Sequence, residues 1–127
     1  MNSIQDAAFW LQTLDFSAWS TEDNELADWL DMRDAPPFDV EWTRAFALLG
    51  DREGEQPLAP EELQSLKKLR EAAYAKAATA TNDTEVAAYI SDDLDLLARA
   101  ARMGLEDDWL TSLRRAYDDG RFPTGAL

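Results

Sequence analysis

Cysteine and histidine are both absent from this chain of 127 residues. Without cysteine there is no disulfide and no thiolate metal site, and the composition predicts a protein of the reducing cytoplasm. Without histidine, Ser-His-Asp and Cys-His nucleophilic sites cannot be assembled, nor can the usual zinc sites or the Glu-x-x-His di-iron motif of helical bundles. The five glycines stand singly, so no glycine-rich phosphate loop exists. No window of 18 apolar residues occurs, and Met1-Asn-Ser-Ile-Gln-Asp6 lacks the basic start and apolar run of a signal peptide. A soluble protein with no membrane partner is expected. Period-two alternation is missing as well, which argues against a sheet.

Positive charge is the remaining scarcity. Twelve basic residues face 26 acidic ones, for a net charge of −14. The excess is uneven: residues 1–60 hold thirteen acids and three bases, and nothing basic precedes Arg33. Such a field repels nucleic acid and anionic membranes and speeds encounter with basic partners. It would equally serve to keep a small domain soluble.

What is present is helical periodicity. The pattern predicts one all-α domain over residues 1–127, with about six helices and short connections. The clearest stretch runs from Thr84 to Gly120. Val86, Ile90, Leu94, Leu97 and Ala101 recur at helical spacing, and Gly104 marks a stop. Leu105, Trp109, Leu113, Ala116 and Tyr117 form a second stripe ending at Gly120. Helices over 84–103 and 106–119, joined so briefly, are expected to pair antiparallel as a C-terminal hairpin at the core. Upstream, Ser3 is the expected cap of a first helix carrying Ile4, Ala8, Leu11 and Leu14. Thr21 is the expected cap of a second, in which Arg33 extends the stripe Leu26, Trp29 and Leu30 by one turn. Asp39 should cap a third carrying Phe38, Trp42, Ala45, Phe46 and Leu49. Pro60 opens a fourth, its stripe being Leu63, Leu66, Ala73, Tyr74 and Ala77. The tail should dock Phe122 and fray beyond it.

Arg70 falls inside the fourth stripe. A lone buried guanidinium is too costly, so it must reach water or a carboxylate. Asp93, at the edge of the central helix's apolar stripe, is the expected partner.

Carboxylate-only magnesium chemistry remains open. Glu22-Asp-Asn-Glu25 supplies half of the paired motif used by all-α nucleotide pyrophosphatases, but no Glu-x-x-Asp follows at a sensible distance. Asp92-Asp93-Leu-Asp95 lacks the third acid of an Asp-Asp-x-x-Asp site. No catalytic residue, cofactor site or metal site is assigned.

Elimination favours binding over catalysis. The leading expectation is a small acidic inhibitor that neutralises a basic protein, as a cytoplasmic immunity protein neutralises a toxin effector. Its candidate surface is Glu22, Asp23, Glu25, Asp28, Asp31 and Asp34, with Trp19, the one tryptophan assigned to no helix, as an aromatic member. Two alternatives stay open. One is a DNA mimic that occupies a nucleic-acid-binding protein, for which Asp28, Asp31 and Asp34 give a short acid row. The other is a magnesium-dependent nucleotide hydrolase.

Overall fold

The computed structural model describes residues 1–19 and 23–127, and side chains at all of these except 23 and 24. Among these residues six α-helices follow one another: α1 (Ile4–Thr13), α2 (Asp23–Arg33), α3 (Phe38–Glu53), α4 (Pro60–Thr81), α5 (Thr84–Met103) and α6 (Asp108–Asp118). A 3-10 turn, Ser17–Trp19, lies between the first two. No strand occurs among the described residues. The all-α architecture expected from periodicity is therefore the one observed.

Local chemistry explains most of the helix ends. The Ser3 hydroxyl accepts from the Asp6 amide at 3.0 Å, a side-chain cap on α1. Pro60 takes the first position of α4, where its missing N–H costs nothing, and the Glu62 carboxylate accepts from the Ala59 amide at 3.0 Å. Asp83 caps α5 by accepting from the amides of Glu85 and Val86. Gly104, with φ +61°, ends α5 in the left-handed conformation. Leu105 N–H then donates to Ala100 O and Gly104 N–H to Ala101 O, the double closure that such a glycine permits. Asp39 does not cap α3. The preceding prolines carry the chain straight into a helix that starts at Phe38, so Asp39 lies in the first turn. The expected cap Thr21 lies outside the described residues.

Helix α5 is the axis of the molecule. Val86, Ala87, Ile90, Leu94, Leu96, Leu97 and Ala98 are all buried, so it is apolar around most of its circumference. Its closest main-chain neighbour is α4, with α1 and α3 next. Only Asn82 and Asp83 separate α4 from α5, which makes them antiparallel. Buried alanines at 73, 77, 87 and 98 permit the close approach. The chain also turns back after Gly104 as expected, but α6 meets α5 mainly through side chains, and the central close-packed pair is α4 with α5 instead of α5 with α6. Tyr117, near the end of α6, reaches the middle of α5, and Leu110, Leu113 and Ala116 are buried.

The fourth stripe departs from expectation. The buried positions of α4 are Leu66, Leu69, Ala73 and Ala77, while Leu63 (52% exposed) and Tyr74 (39%) face outward. At 100° per residue, a stripe through Leu69 and Ala73 leaves Tyr74 and Arg70 at its edges. The tail departs too, since it is held beyond Phe122. That ring packs against Trp19 and Trp29, Pro123 is buried, and the Thr124 hydroxyl donates to Trp29 O at 2.8 Å.

Candidate functional site

Two features stand out above the packing: a buried polar centre, and an acidic surface that no base among the described residues neutralises. Asp93 lies in the middle of α5 with no exposure at all, and its carboxylate takes four donated hydrogen bonds. Arg33, in the last turn of α2, gives two of them, Nη1 to Oδ2 and Nη2 to Oδ1, each at 2.8 Å. Trp42 Nε1 of α3 donates to Oδ1 at 2.9 Å, and the Tyr117 hydroxyl of α6 to Oδ2 at 2.6 Å. One carboxylate thus ties four helices together. Arg33 Nη1 also donates to Pro123 O at 3.1 Å, which brings in the tail. The guanidinium lies 4.4 Å from the Phe38 ring centroid and 5.0 Å from that of Tyr89.

Burial here strongly opposes charge, yet the Asp93 carboxylate beside it holds Arg33 above its ordinary pKa. Tyr117 is pushed well above the usual phenol range, first by burial and then by the Asp93 charge. Its proton therefore stays on the oxygen as a donor.

The expected partnership of Arg70 with Asp93 is overturned. Arg70 is half-exposed and pairs with Asp92 at 2.7 Å and Asp95 at 3.6 Å. It sits at the edge of α4's stripe, whereas Arg33, in phase with Leu26 and Leu30, points straight inward. That phase, in a segment with no other base before Arg44, was the available signal.

The acids of α2 behave differently. Glu25, Asp28, Asp31 and Asp34 are all exposed, and none of them enters an ion pair among the described residues. Asp34 has one polar contact, accepting from the Tyr89 hydroxyl at 2.8 Å, and that bond raises the tyrosine's pKa. Asp31 and Asp34 also lie at the C-terminal end of α2, where the helix dipole disfavours negative charge. Glu22 lies outside the described residues, as does the side chain of Asp23.

Trp19 is no part of that surface. It is 1% exposed, stacks on Phe16 with centroids 4.2 Å apart, and donates to Gly120 O at 3.1 Å. A tryptophan outside the α-helices was expected to be free for contact; the 3-10 turn folds it into the aromatic core instead.

Elsewhere many acids are neutralised. Glu53 and Asp95 hold Arg99, Glu62 holds Arg102, and Asp107 takes a bidentate pair from Arg44. That guanidinium lowers the pKa of Asp107, as Arg102 lowers that of Glu62. Asp118 accepts from Trp10 Nε1 at 2.7 Å, and Asp119 lies 3.5 Å from Arg121. Asp92, Asp93 and Asp95 are each engaged by arginine, and no three acids among the described residues converge on a metal position. No helix described is long and apolar enough to cross a membrane.

The result is a small helical domain with a buried polar centre, in which Arg33 Nε is left without a hydrogen-bond partner, and an acidic face unpaired among the described residues. Residues 3–124 match the model of the family described as Immunity protein PIM1, and the chain belongs to that family. No curated protein matches it. Membership implies a protein partner.

Proposed function

We propose that this chain is an immunity protein that neutralises a basic toxin partner by binding it, with no catalytic step of its own. The observation that carries the reading, beside family membership, is the contrast between two sets of acids. Seven of the thirteen acids within α3 to α6 pair with arginines of the same chain, whereas none of Glu25, Asp28, Asp31 and Asp34 does among the described residues. Unpaired, exposed acids on one helix keep their field for an approaching partner, which raises the association rate and selects for basic surfaces. The contact surface is the N-terminal acidic half around these four residues, with Glu22 and Asp23 continuing it in sequence.

The direct test is growth of cells that express a candidate toxin, taken from the genes neighbouring this one, with and without this protein. Protection by the unaltered chain, weakened when Glu25, Asp28 and Asp31 are all changed to lysine, is the expected outcome. Full protection by the triple variant would move the contact surface elsewhere. No protection by the unaltered chain would end the reading.

A further inference from the structure

A cleft of about 180 Å³ opens between the end of α2, the start of α3 and the middle of α5. Its walls are aromatic, from Phe38, Trp42 and Tyr89, and its acids are Asp34, Asp39 and Asp92, with buried Arg33 along one side. The charges do not cancel. Arg33 is paired with Asp93, although its Nε has no hydrogen-bond partner, and Asp92 is held by Arg70 at 2.7 Å. Asp34 has only the neutral Tyr89 hydroxyl. Asp39 enters no ion pair among the described residues, and its Oδ1 is shut away from water with no hydrogen-bond partner there. A carboxylate oxygen in that position is unfavourable until a donor arrives.

The surroundings complete a binding surface. Asp34 belongs both to the cleft and to the acidic row of α2, so the two are continuous. On the outer face of α3, Val40 and Phe46 are about half exposed, and Phe46 stacks on Trp42 at 5.4 Å. An aromatic slot beside exposed apolar side chains and unpaired acids suits a long aliphatic stem that ends in a cation.

We propose that this cleft receives one lysine or arginine side chain of the protein partner. The stem lies against Trp42 and Tyr89, and the charged end meets Asp34 and Asp39. The inference rests on the reading of the chain as a toxin-binding immunity protein and names the anchor point within that interface. A charge desolvated in a central pocket affects dissociation, whereas the exposed row on α2 affects association.

The test is titration calorimetry and stopped-flow binding with a catalytically inactivated form of the toxin against which this protein protects. Three variants are compared: Asp39→Asn, which keeps shape and removes charge; Thr43→Trp, which fills the slot from an exposed lining position; and Asp28→Lys/Asp31→Lys on the outer row. The first two should weaken binding about tenfold or more, mainly through faster dissociation. The third should chiefly slow association. Among the toxin's lysines and arginines changed singly to methionine, one should weaken the unaltered protein about tenfold yet have little effect on Asp39→Asn. Wild-type affinity for both cleft variants, beside an impaired outer-row variant, would overturn the cleft and leave the broader reading standing. So would the absence of any basic residue coupled to Asp39. No binding by the unaltered protein would overturn both. Unchanged urea unfolding of Thr43→Trp keeps the result clear of misfolding.

Discussion

Arg33 and Asp93 lie 60 residues apart in sequence and form a bidentate ion pair at the centre of the molecule, with both side chains almost wholly buried. Coulomb attraction alone does not make such a pair stabilising, because both ions lose their water. Here the Asp93 carboxylate is met by Trp42 and Tyr117 as well. What the arrangement provides is position, since it fixes the end of α2 against α3, α5, α6 and the tail.

Removing one partner should therefore be costly. Arg33→Met is expected to lower stability by about 3–5 kcal/mol in urea unfolding, because Asp93 is left as an uncompensated buried charge. Arg70→Met should cost about 0–1 kcal/mol, as befits a half-exposed pair. In double-mutant cycles with Asp93→Asn, Arg33 should show strong coupling, and Arg70 should be additive to within about 0.5 kcal/mol. Strong coupling between Arg70 and Asp93 would contradict the observed pairing.

The row on α2 carries the opposite expectation. Asp31→Lys breaks no ion pair and places a positive charge at the negative end of the helix dipole. It should leave stability unchanged or raise it by about 0.3–1 kcal/mol. A clear loss on thermal unfolding would show that Asp31 has a structural role.

Asp107 gives a pH signature. Its folded pKa is lowered from the usual 3.8, first by Arg44 and further by the Leu110 amide. A depressed carboxylate adds stability that is complete above its unfolded value and is lost as pH falls through the folded one. Asp107→Asn keeps a capping oxygen and removes the ion pair, so it should cost about 1 kcal/mol at pH 7. That difference from wild type should shrink as pH falls below 3.8, as read from urea unfolding at a series of pH values. A difference constant down to pH 2 would mean that the charge contributes nothing.

Trp19 is a core residue. Trp19→Ala should lower stability by about 3–5 kcal/mol, the usual cost of a large buried aromatic. Loss of partner binding in that variant would then follow from unfolding. Near-native stability on denaturant titration would return Trp19 to the list of contact residues.

The sequence was enough for the helices, because what sets them is local: the apolar spacing of α5 and α6, the Ser3 cap, Pro60 with Glu62, and Gly104 as a stop. It also determined that the first half of the chain is acidic and that histidine- and thiol-based sites are impossible. Which charges meet is set by tertiary packing. Arg33 and Arg70 both fall near apolar stripes, and a wheel drawn one position off, through Leu63 and Tyr74 instead of Leu69, turns an edge residue into a core one. Pairing depends on how four helices are rotated about their axes, and that rotation is fixed by packing between elements distant in sequence. For the same reason Trp19 could not be placed, since its burial depends on Phe16, Tyr117, Gly120 and Phe122 being brought around it. The cleft formed by Asp34, Asp39, Trp42 and Tyr89 was equally hidden, because its walls come from three helices that only the fold assembles.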